Sequence, residues 1–168
     1  MYGRTFTIVL VVAAAATASG RAQTPQLRPE HKRLEFFVGK WGEGPAKPSA
    51  SSGAAGVVNS CEWFDGRFHV VCRTQDADGR SLDLSVLGFD PTQGAYTRFN
   101  ITREGHQTMA TGKLDGKTWR WRGGDKPGAK TTHFTWTETS PDSYAYVVGT
   151  GVDGPTEVLA KGNVVKRK

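Results

Sequence analysis

The residues that could support metal or catalytic chemistry are few and widely spaced. The histidines form no H-x-x-x-H pair and stand at no metal-ligand spacing from a carboxylate; they are His31, His69, His106 and His133. The sequence also contains neither a G-x-S-x-G nucleophile turn nor a paired-carboxylate signature. We therefore predict no catalytic residue, no metal site and no enzyme activity.

Two motifs look at first like nucleotide- or nucleic-acid-binding sites, but strands explain them better. Gly112–Thr118 has three residues between its glycines where a phosphate-binding loop has four, and no helical pattern follows it. The next tetrapeptide, Trp119–Arg122, alternates Trp with Arg, so on a strand the two pairs point to opposite faces. We expect a hairpin with a buried Trp pair beneath a solvated Arg pair, and no nucleic-acid partner.

Residues 1–22 have the composition of a secretory signal peptide. Arg4 provides the positive start, residues 6–16 the apolar run and residues 20–22 a small-x-small cleavage site, with cleavage after Ala18 as an alternative. The apolar run is about half as long as the roughly 20 residues that a membrane span needs. We therefore predict export to the periplasm or the medium, with no transmembrane span.

Export changes what the charge and the cysteines indicate. The 168 residues include 22 Lys and Arg against 16 Asp and Glu, a net charge of +6. Removing residues 1–22 takes away two arginines and no acid, which leaves a modest +4. A balance of this size favours solubility or weak attraction to anionic surfaces rather than nucleic-acid binding. In an oxidising compartment, we expect Cys61 and Cys72 to form a disulfide.

Turn signals divide most of the chain into stretches typical of antiparallel strands. Residues 23–29 are expected to be a flexible leader, followed by a short amphipathic helix over 30–38. From Val57 onward, turn residues recur about every eight to ten residues. With a further strand near 41–46, the sequence predicts about ten strands in one domain over residues 30–168.

Alternation within these strands predicts one sheet with a single dry face. Tight turns near Pro91, at Glu104-Gly105, at Asp115-Gly116 and over 139–142 would pair Phe99 with Ala110 and Trp136 with Ala145. The apolar face would then consist of Leu82, Leu84, Val86, Phe99, Ile101, Trp119, Trp121, Phe134 and Trp136. The opposite face would consist of Asp83, Arg98, Asn100, Arg120, Arg122, Thr135, Thr137 and Tyr144, with Leu87 and Phe89 as apolar exceptions.

A ten-stranded sheet with one dry face must close on itself or split into two packed sheets. Consecutive hairpins close most simply into a barrel. We therefore predict an all-β fold: a single antiparallel up-and-down β-barrel of about 8–10 strands, with a short N-terminal helix that caps one end.

The mature chain resembles a bacterial family of secreted, lipocalin-like (calycin-type) proteins classified as a domain of unknown function. The resemblance rests on LEFFVGKW at 34–41, SCEWFDG at 60–66, VLGFDP at 86–91 and SPDSY at 140–144. It implies a barrel and export, with Gly39 and Trp41 of the Gly-x-Trp signature at the plugged end. It implies no established ligand or activity.

The resemblance also bears on cofactors, because the related nitrobindin-like barrels carry haem on a histidine near their C-terminal strands. Residues 157–168 contain no histidine, and we predict no cofactor.

The aromatic interior of such a barrel suggests a ligand site. Barrels of this size are just wide enough for one small molecule. We predict binding of a small hydrophobic or amphipathic molecule, without catalysis, through Trp63, Phe68, Phe99, Trp119, Trp121 and Trp136.

Two alternatives remain open. A solidly packed barrel would act as an interaction module through its loops or its basic tail at 161–168. An enzyme would instead need Arg98, His69 and Tyr146 to face inward, against the predicted alternation. The sequence leaves the oligomeric state open.

Overall fold

The computed structural model describes residues 26–44, 56–123, 131–152 and 154–168. These residues form one short helix, one 3₁₀ helix and ten strands. The helices are α1 (Pro29–Arg33) and the 3₁₀ helix Leu34–Phe37, and the strands are β1 (Gly39–Glu43), β2 (Val58–Trp63), β3 (His69–Gln75), β4 (Ser81–Asp90), β5 (Ala95–Thr102), β6 (Gln107–Asp115), β7 (Thr118–Gly123), β8 (Thr131–Ser140), β9 (Ser143–Gly151) and β10 (Glu157–Lys166).

The ten strands form a closed up-and-down barrel. Each strand pairs antiparallel with its neighbour in the chain, and β1 pairs with β10 to close the sheet. The predicted fold class is therefore confirmed, including the short helix on the N-terminal side. The predicted signal peptide, residues 23–25 of the leader and the end of the strand expected over 41–46 lie outside the described residues.

The N-terminal helical segment lies across one end of the barrel. Pro29 starts α1, where its missing N–H leaves no hydrogen bond unmade. The side chain of Arg33 pairs with Glu138 of β8 at 2.8 Å, and the same Glu138 oxygen accepts the indole N–H of Trp119 at 2.8 Å. These contacts anchor the helix to the barrel, and we call this the closed end.

Aromatic side chains fill the closed end. Trp41 is 2% exposed, and its indole N–H donates to the carbonyl of Phe37 at 2.6 Å. Trp119 and Trp121 are also buried, with nearly parallel rings whose centroids lie 6.2 Å apart. Trp41 and the adjoining Gly39, the two residues predicted for the plug, therefore belong to this end of the structure.

The β5–β6 register differs by one residue from the predicted register. Ala110 pairs with Arg98, and Phe99 pairs with Met109. The connection is a three-residue turn over 103–105, in which the Thr102 N–H donates to the carbonyl of His106 and Gly105 has a φ of +85°. A three-residue turn with glycine in the left-handed region shifts the ladder by one residue relative to a two-residue turn. A shift of one residue moves every side chain of one strand to the opposite side of the sheet, relative to its partner strand.

A similar correction applies to the β8–β9 hairpin. The turn lies at residues 141–142, which alone would pair Trp136 with Val147, and a bulge between Glu138 and Ser140 then shifts the ladder by one. Trp136 therefore pairs with Tyr146 and not with the predicted Ala145. Tyr144 consequently points into the barrel, where its ring lies 5.3 Å from that of Trp41.

These registers divide the predicted apolar face between two sides of the wall. The prediction is correct for β7 and β8, because Trp119, Trp121, Phe134 and Trp136 line the interior. It is wrong for β4 and β5, and for Tyr144. The side chains that point outward are Leu82, Leu84, Val86, Phe99 and Ile101, and those that point inward are Asp83, Arg98, Asn100, Leu87 and Phe89.

The predicted disulfide is confirmed. Cys61 of β2 lies directly opposite Cys72 of β3, and the two are bonded and buried in the barrel wall. A disulfide of this kind is typical of proteins that fold in an oxidising compartment.

Candidate ligand site in the barrel

A small polar cavity lies inside the barrel, beyond the aromatic layer of the closed end. Its volume is about 80 Å³. It is lined by Phe37, Trp41, Asn59, Cys61, Cys72, Thr74, Asp83, Ser85, Leu87, Arg98, Trp136 and Tyr144. The aromatic residues and the disulfide form its apolar part, whereas β2 to β5 supply most of its polar groups.

Among the described residues, Arg98 is the one cation in the wall of this cavity. Its Nη2 donates to Ser85 Oγ and to Asn100 Oδ1, both at 3.1 Å. The guanidinium also lies over the rings of Phe134 and Trp136, 5.5 and 5.7 Å from their centroids. These contacts hold the charged group in place inside the barrel without neutralising it.

The charge of Arg98 has no ion-pair partner in the described part of the chain. Its Nε and Nη1 groups donate to no side chain or carbonyl there, although a guanidinium has five N–H donors. Burial lowers the pKa of Arg98, while the charge of Asp83 acts in the opposite direction. Arginine nevertheless remains protonated in proteins, so the cavity holds a positive charge with free donors.

Other polar groups on the cavity wall are partly satisfied. Asp83 accepts a hydrogen bond from Thr74 Oγ1 at 3.0 Å. The side-chain oxygen of Asn59 is buried and has no hydrogen-bond partner in the described residues. An unsatisfied buried acceptor is unfavourable unless water or a ligand supplies a donor.

Tyr144 completes the wall as a neutral phenol. Burial raises the pKa of its hydroxyl to about 12, and the nearby charge of Arg98 opposes that rise. The hydroxyl is therefore protonated at neutral pH and can donate a hydrogen bond.

A second space adjoins Arg98 toward β6, β7 and β8. It has a volume of about 200 Å³ and is lined by Arg98, Thr108, Met109, Ala110, Gly123, Thr131, Thr132 and Phe134. Arg98 thus lies where the polar cavity and this more apolar space meet. A molecule with one polar end and a short apolar body would match that arrangement.

The residues predicted to contact a ligand do not form one group. Trp136 lines the polar cavity, and Trp119 and Trp121 are buried in the aromatic layer of the closed end. All three lie in the interior, and Trp136 is 5.4 Å from Trp121 between ring centroids.

The other three predicted residues lie elsewhere. Trp63 is at the closed end, where its indole N–H donates to Glu35 at 2.8 Å. Phe68 packs edge-on against His31 at the same end. Phe99 points outward from β5, because it pairs with Met109 on the outside of the barrel.

The polar set named for an enzyme is only partly brought together. Arg98 faces inward, Tyr146 is half-buried on the inward side of β9 beside Trp136, and His69 is exposed. The described residues contain no group of three or more His, Cys, Asp or Glu side chains that could hold a metal ion.

Sequence reasoning missed Arg98 as an interior residue, although one signal was available. Leu87 and Phe89 broke the predicted alternation, and in the structure they face inward together with Asp83 and Ser85. Two large apolar side chains on the face predicted to meet solvent indicate that this face, and not the other, points into the barrel.

No family model matches this chain, and no curated protein matches it either. None of the helices in the described ranges is long and apolar enough to cross a membrane.

Proposed function

We propose that this protein is an exported binding protein that holds a small amphipathic acid inside its barrel and does no chemistry on it. The acidic group would occupy the polar cavity against Arg98, and the apolar body would extend toward Phe134. One observation carries the proposal: a fixed guanidinium inside the barrel with N–H donors that no described protein group accepts.

Electrostatics favour an anionic ligand. A charge that is largely withdrawn from water is unfavourable unless it is paired. The described residues provide hydrogen bonds to half-buried Arg98 but no carboxylate within ion-pair distance. A carboxylate would accept two parallel N–H donors from the guanidinium, which is the strongest common geometry for this pair. The unsatisfied Asn59 oxygen would accept a donor from the ligand or from water.

The available space favours a short ligand. The cavity and the adjoining space measure about 80 and 200 Å³, whereas pockets for drug-sized ligands usually occupy about 300–1,000 Å³. Aromatic side chains already fill the closed end. A short-chain carboxylic acid therefore fits better than a long-chain fatty acid or a sterol.

Export is proposed on separate grounds. Residues 1–22 resemble a signal peptide, and a buried disulfide is typical of proteins that fold where thiols are oxidised. A periplasmic or secreted protein of this kind would meet small acids outside the cytoplasm.

Intrinsic fluorescence tests the binding proposal, because Trp136 lies next to Arg98. Short-chain carboxylates are titrated into the purified protein alongside their methyl esters, which have nearly the same shape but no charge. We expect the acids to bind more tightly than the esters. In Arg98→Met this preference should fall roughly tenfold to a hundredfold, the value of a charge-assisted hydrogen bond.

Arg120→Met is the matched control, because Arg120 lies on the outside of β7 and the substitution removes the same charge. It should leave the preference for acids unchanged. The proposal is wrong if acids and esters bind equally to the unaltered protein, or if Arg98→Met retains the full preference.

A further inference from the structure

The outer side of β3 to β6 carries a continuous apolar surface. In the sheet register, Val71, Val86, Phe99 and Met109 lie side by side in one row across the four strands. Leu84 and Ile101 lie in the adjacent row. We call these six side chains the outer apolar face: Val71, Leu84, Val86, Phe99, Ile101 and Met109.

This face lies on the outside of the barrel. Met109 is 53% exposed, and the other five side chains are partly exposed. Among the described elements, the helical segment packs at the closed end, and the extensive strand–strand contacts are those between neighbours in the sheet. β4 and β5 thus carry apolar side chains on the outside, whereas Asp83, Ser85, Arg98 and Asn100 lie on their inner side. This is the reverse of the usual arrangement for strands that have water on one side.

Cations flank the outer apolar face on both sides. Arg73 of β3 pairs with Leu84 in the register, and Lys113 of β6 pairs with Arg120 of β7. Arg122 follows on the same side of β7. All four are exposed, and none forms an ion pair with a described carboxylate.

Few carboxylates lie near this face: exposed Glu62 of β2 pairs with Val71, and exposed Asp115 lies two residues from Lys113 on the same side of β6. Asp83 and Glu138 point into the barrel, and Asp90 and Asp115 lie at strand ends beside turns. The outside of β3 to β7 therefore combines an apolar centre with a border on which the four cations outnumber the two nearby carboxylates, Glu62 and Asp115. A complementary partner must be apolar and negatively charged over the same area.

A second copy of this chain does not meet that requirement. Two such faces packed together would bring Arg73, Lys113, Arg120 and Arg122 close to their equivalents, and like charges repel. The size also argues against a dimer: four strands spaced about 4.8 Å apart give a face on the order of 200 Å², whereas stable interfaces bury about 800 Å² on each partner.

We propose that the outer apolar face docks the barrel on the surface of an anionic lipid bilayer. The six apolar side chains would enter the boundary between headgroups and acyl chains, and the four cations would lie over lipid phosphates. Partial insertion of apolar side chains, supported by electrostatic attraction, is the general way in which peripheral proteins bind anionic bilayers. The polar cavity lies on the other side of the β5 wall, and of the six residues only Met109 also lines the adjoining space beside Arg98.

Cosedimentation with vesicles tests the proposal. The purified protein is mixed with phosphatidylcholine vesicles, with and without phosphatidylglycerol. We expect binding only to the phosphatidylglycerol vesicles, with a partition coefficient that falls as salt is added. Each cation near an anionic surface strengthens binding about fivefold, so Arg120→Gln with Arg122→Gln should weaken it about 25-fold.

The apolar contribution is tested without a change in charge. Phe99→Ser with Met109→Ser should weaken binding about tenfold or more, because two partly exposed apolar groups no longer enter the lipid. Circular dichroism confirms that each variant keeps its β structure. The two arginine substitutions lie on a solvated surface and provide a test that does not depend on the folding of the serine variant.

Lys40→Gln with Lys161→Gln is the matched control. These lysines are exposed on β1 and β10, on the side of the barrel opposite β5 and β6, and their replacement removes the same charge. The control should bind like the unaltered protein. Equal loss in the control would show that net charge alone drives binding, and unaltered binding in both outer-face variants would likewise overturn the proposal.

Discussion

Arg98 lies directly across the β5–β6 ladder from Ala110, and this pairing places its guanidinium inside the barrel. If Ala110 instead paired with Phe99, the arginine would point to solvent and a phenylalanine would occupy the interior. The three-residue turn ending at Gly105 decides between these arrangements. The proposed ligand site and the proposed membrane face therefore depend on the same turn.

Gly105→Ala tests the importance of that turn. Gly105 has a φ of +85°, where a Cβ is unfavourable. We expect the free energy of unfolding to fall by about 1 kcal/mol, measured by urea titration. Gly154→Ala is the control, because its added Cβ meets no atom within 4 Å and no positive φ applies. Equal effects at both positions would contradict a special role for the turn.

Gly112→Ala should disturb the aromatic layer of the closed end. A Cβ at Gly112 would lie 2.6 Å from Cε3 of Trp121, whose side chain is 2% exposed and has no room to move aside. Overpacking of this kind costs about 1–3 kcal/mol. Unfolding followed by near-ultraviolet circular dichroism reports both the stability and the tryptophan environment.

The control for this variant is Gly123→Ala on the neighbouring strand. An added Cβ there makes only ordinary contacts, the nearest at 3.6 Å from the carbonyl of Met109. It should leave the tryptophan signal unchanged. A Gly112→Ala protein as stable as the Gly123→Ala protein would show that the aromatic layer is loosely packed.

The disulfide should make a measurable contribution to stability. Cys61 and Cys72 are 11 residues apart. A disulfide that closes a loop of this length stabilises a fold by about 2–3 kcal/mol, because it lowers the conformational entropy of the unfolded chain. The double variant Cys61→Ala with Cys72→Ala should lose that amount in denaturant titration. Reductant should weaken the unaltered protein and have no effect on the double variant. Two reactive thiols in the native, unreduced protein would rule the bond out.

Stability should fall in mildly acidic solution because of His31. Its side chain is 4% exposed, lies between Phe68 and Phe89, and accepts a hydrogen bond from the Arg28 N–H at Nδ1. Burial is the main cause that lowers the pKa of His31 below 6.5, with a further contribution from His69.

The unfolded chain therefore binds a proton at His31 more readily than the folded chain does. The contribution of neutral His31 to the free energy of unfolding is complete above pH 6.5, the pKa of histidine in the unfolded chain. It is lost as the pH falls from 6.5 toward the lower pKa of His31 in the folded protein, by up to about 1.4 kcal/mol per pH unit. Urea titrations between pH 7.5 and 5 measure this slope. His31→Gln should flatten it, whereas the exposed control His106→Gln should not; an unchanged slope in His31→Gln would assign the effect to other groups.

The order and number of strands could be predicted because they depend on local chemistry. Turn residues such as Asp115-Gly116 mark the ends of strands, and alternation in Trp119–Arg122 identifies a strand with one buried face. At that hairpin the turn lies one residue later than predicted, at Gly116-Lys117, which moves the pairing by two and preserves the faces. Trp121 consequently faces Gly112, and both tryptophans remain inside.

Apart from the signal at Leu87 and Phe89, the candidate site could not be predicted, because it depends on single-residue choices at two connections. A glycine near residue 105 fits both a two-residue and a three-residue turn, and nothing in the local sequence around Thr139 requires a bulge. Each choice exchanges the inner and outer faces of one strand relative to its partner. The first decides whether Arg98 of β5 points inward or outward, and the second decides the same for Tyr144 of β9.

The sequence by itself therefore determined the architecture: ten antiparallel strands, a capping helix, and a disulfide between adjacent strands. Only the tertiary structure decided which face of β4 and β5 meets the interior. The physical reason is that turn residues and alternation act within a few residues of the chain, whereas the register of a closed barrel must satisfy all ten strand pairs at once. That closure places Arg98 beside Trp136 inside the barrel and Phe99 beside Met109 outside it.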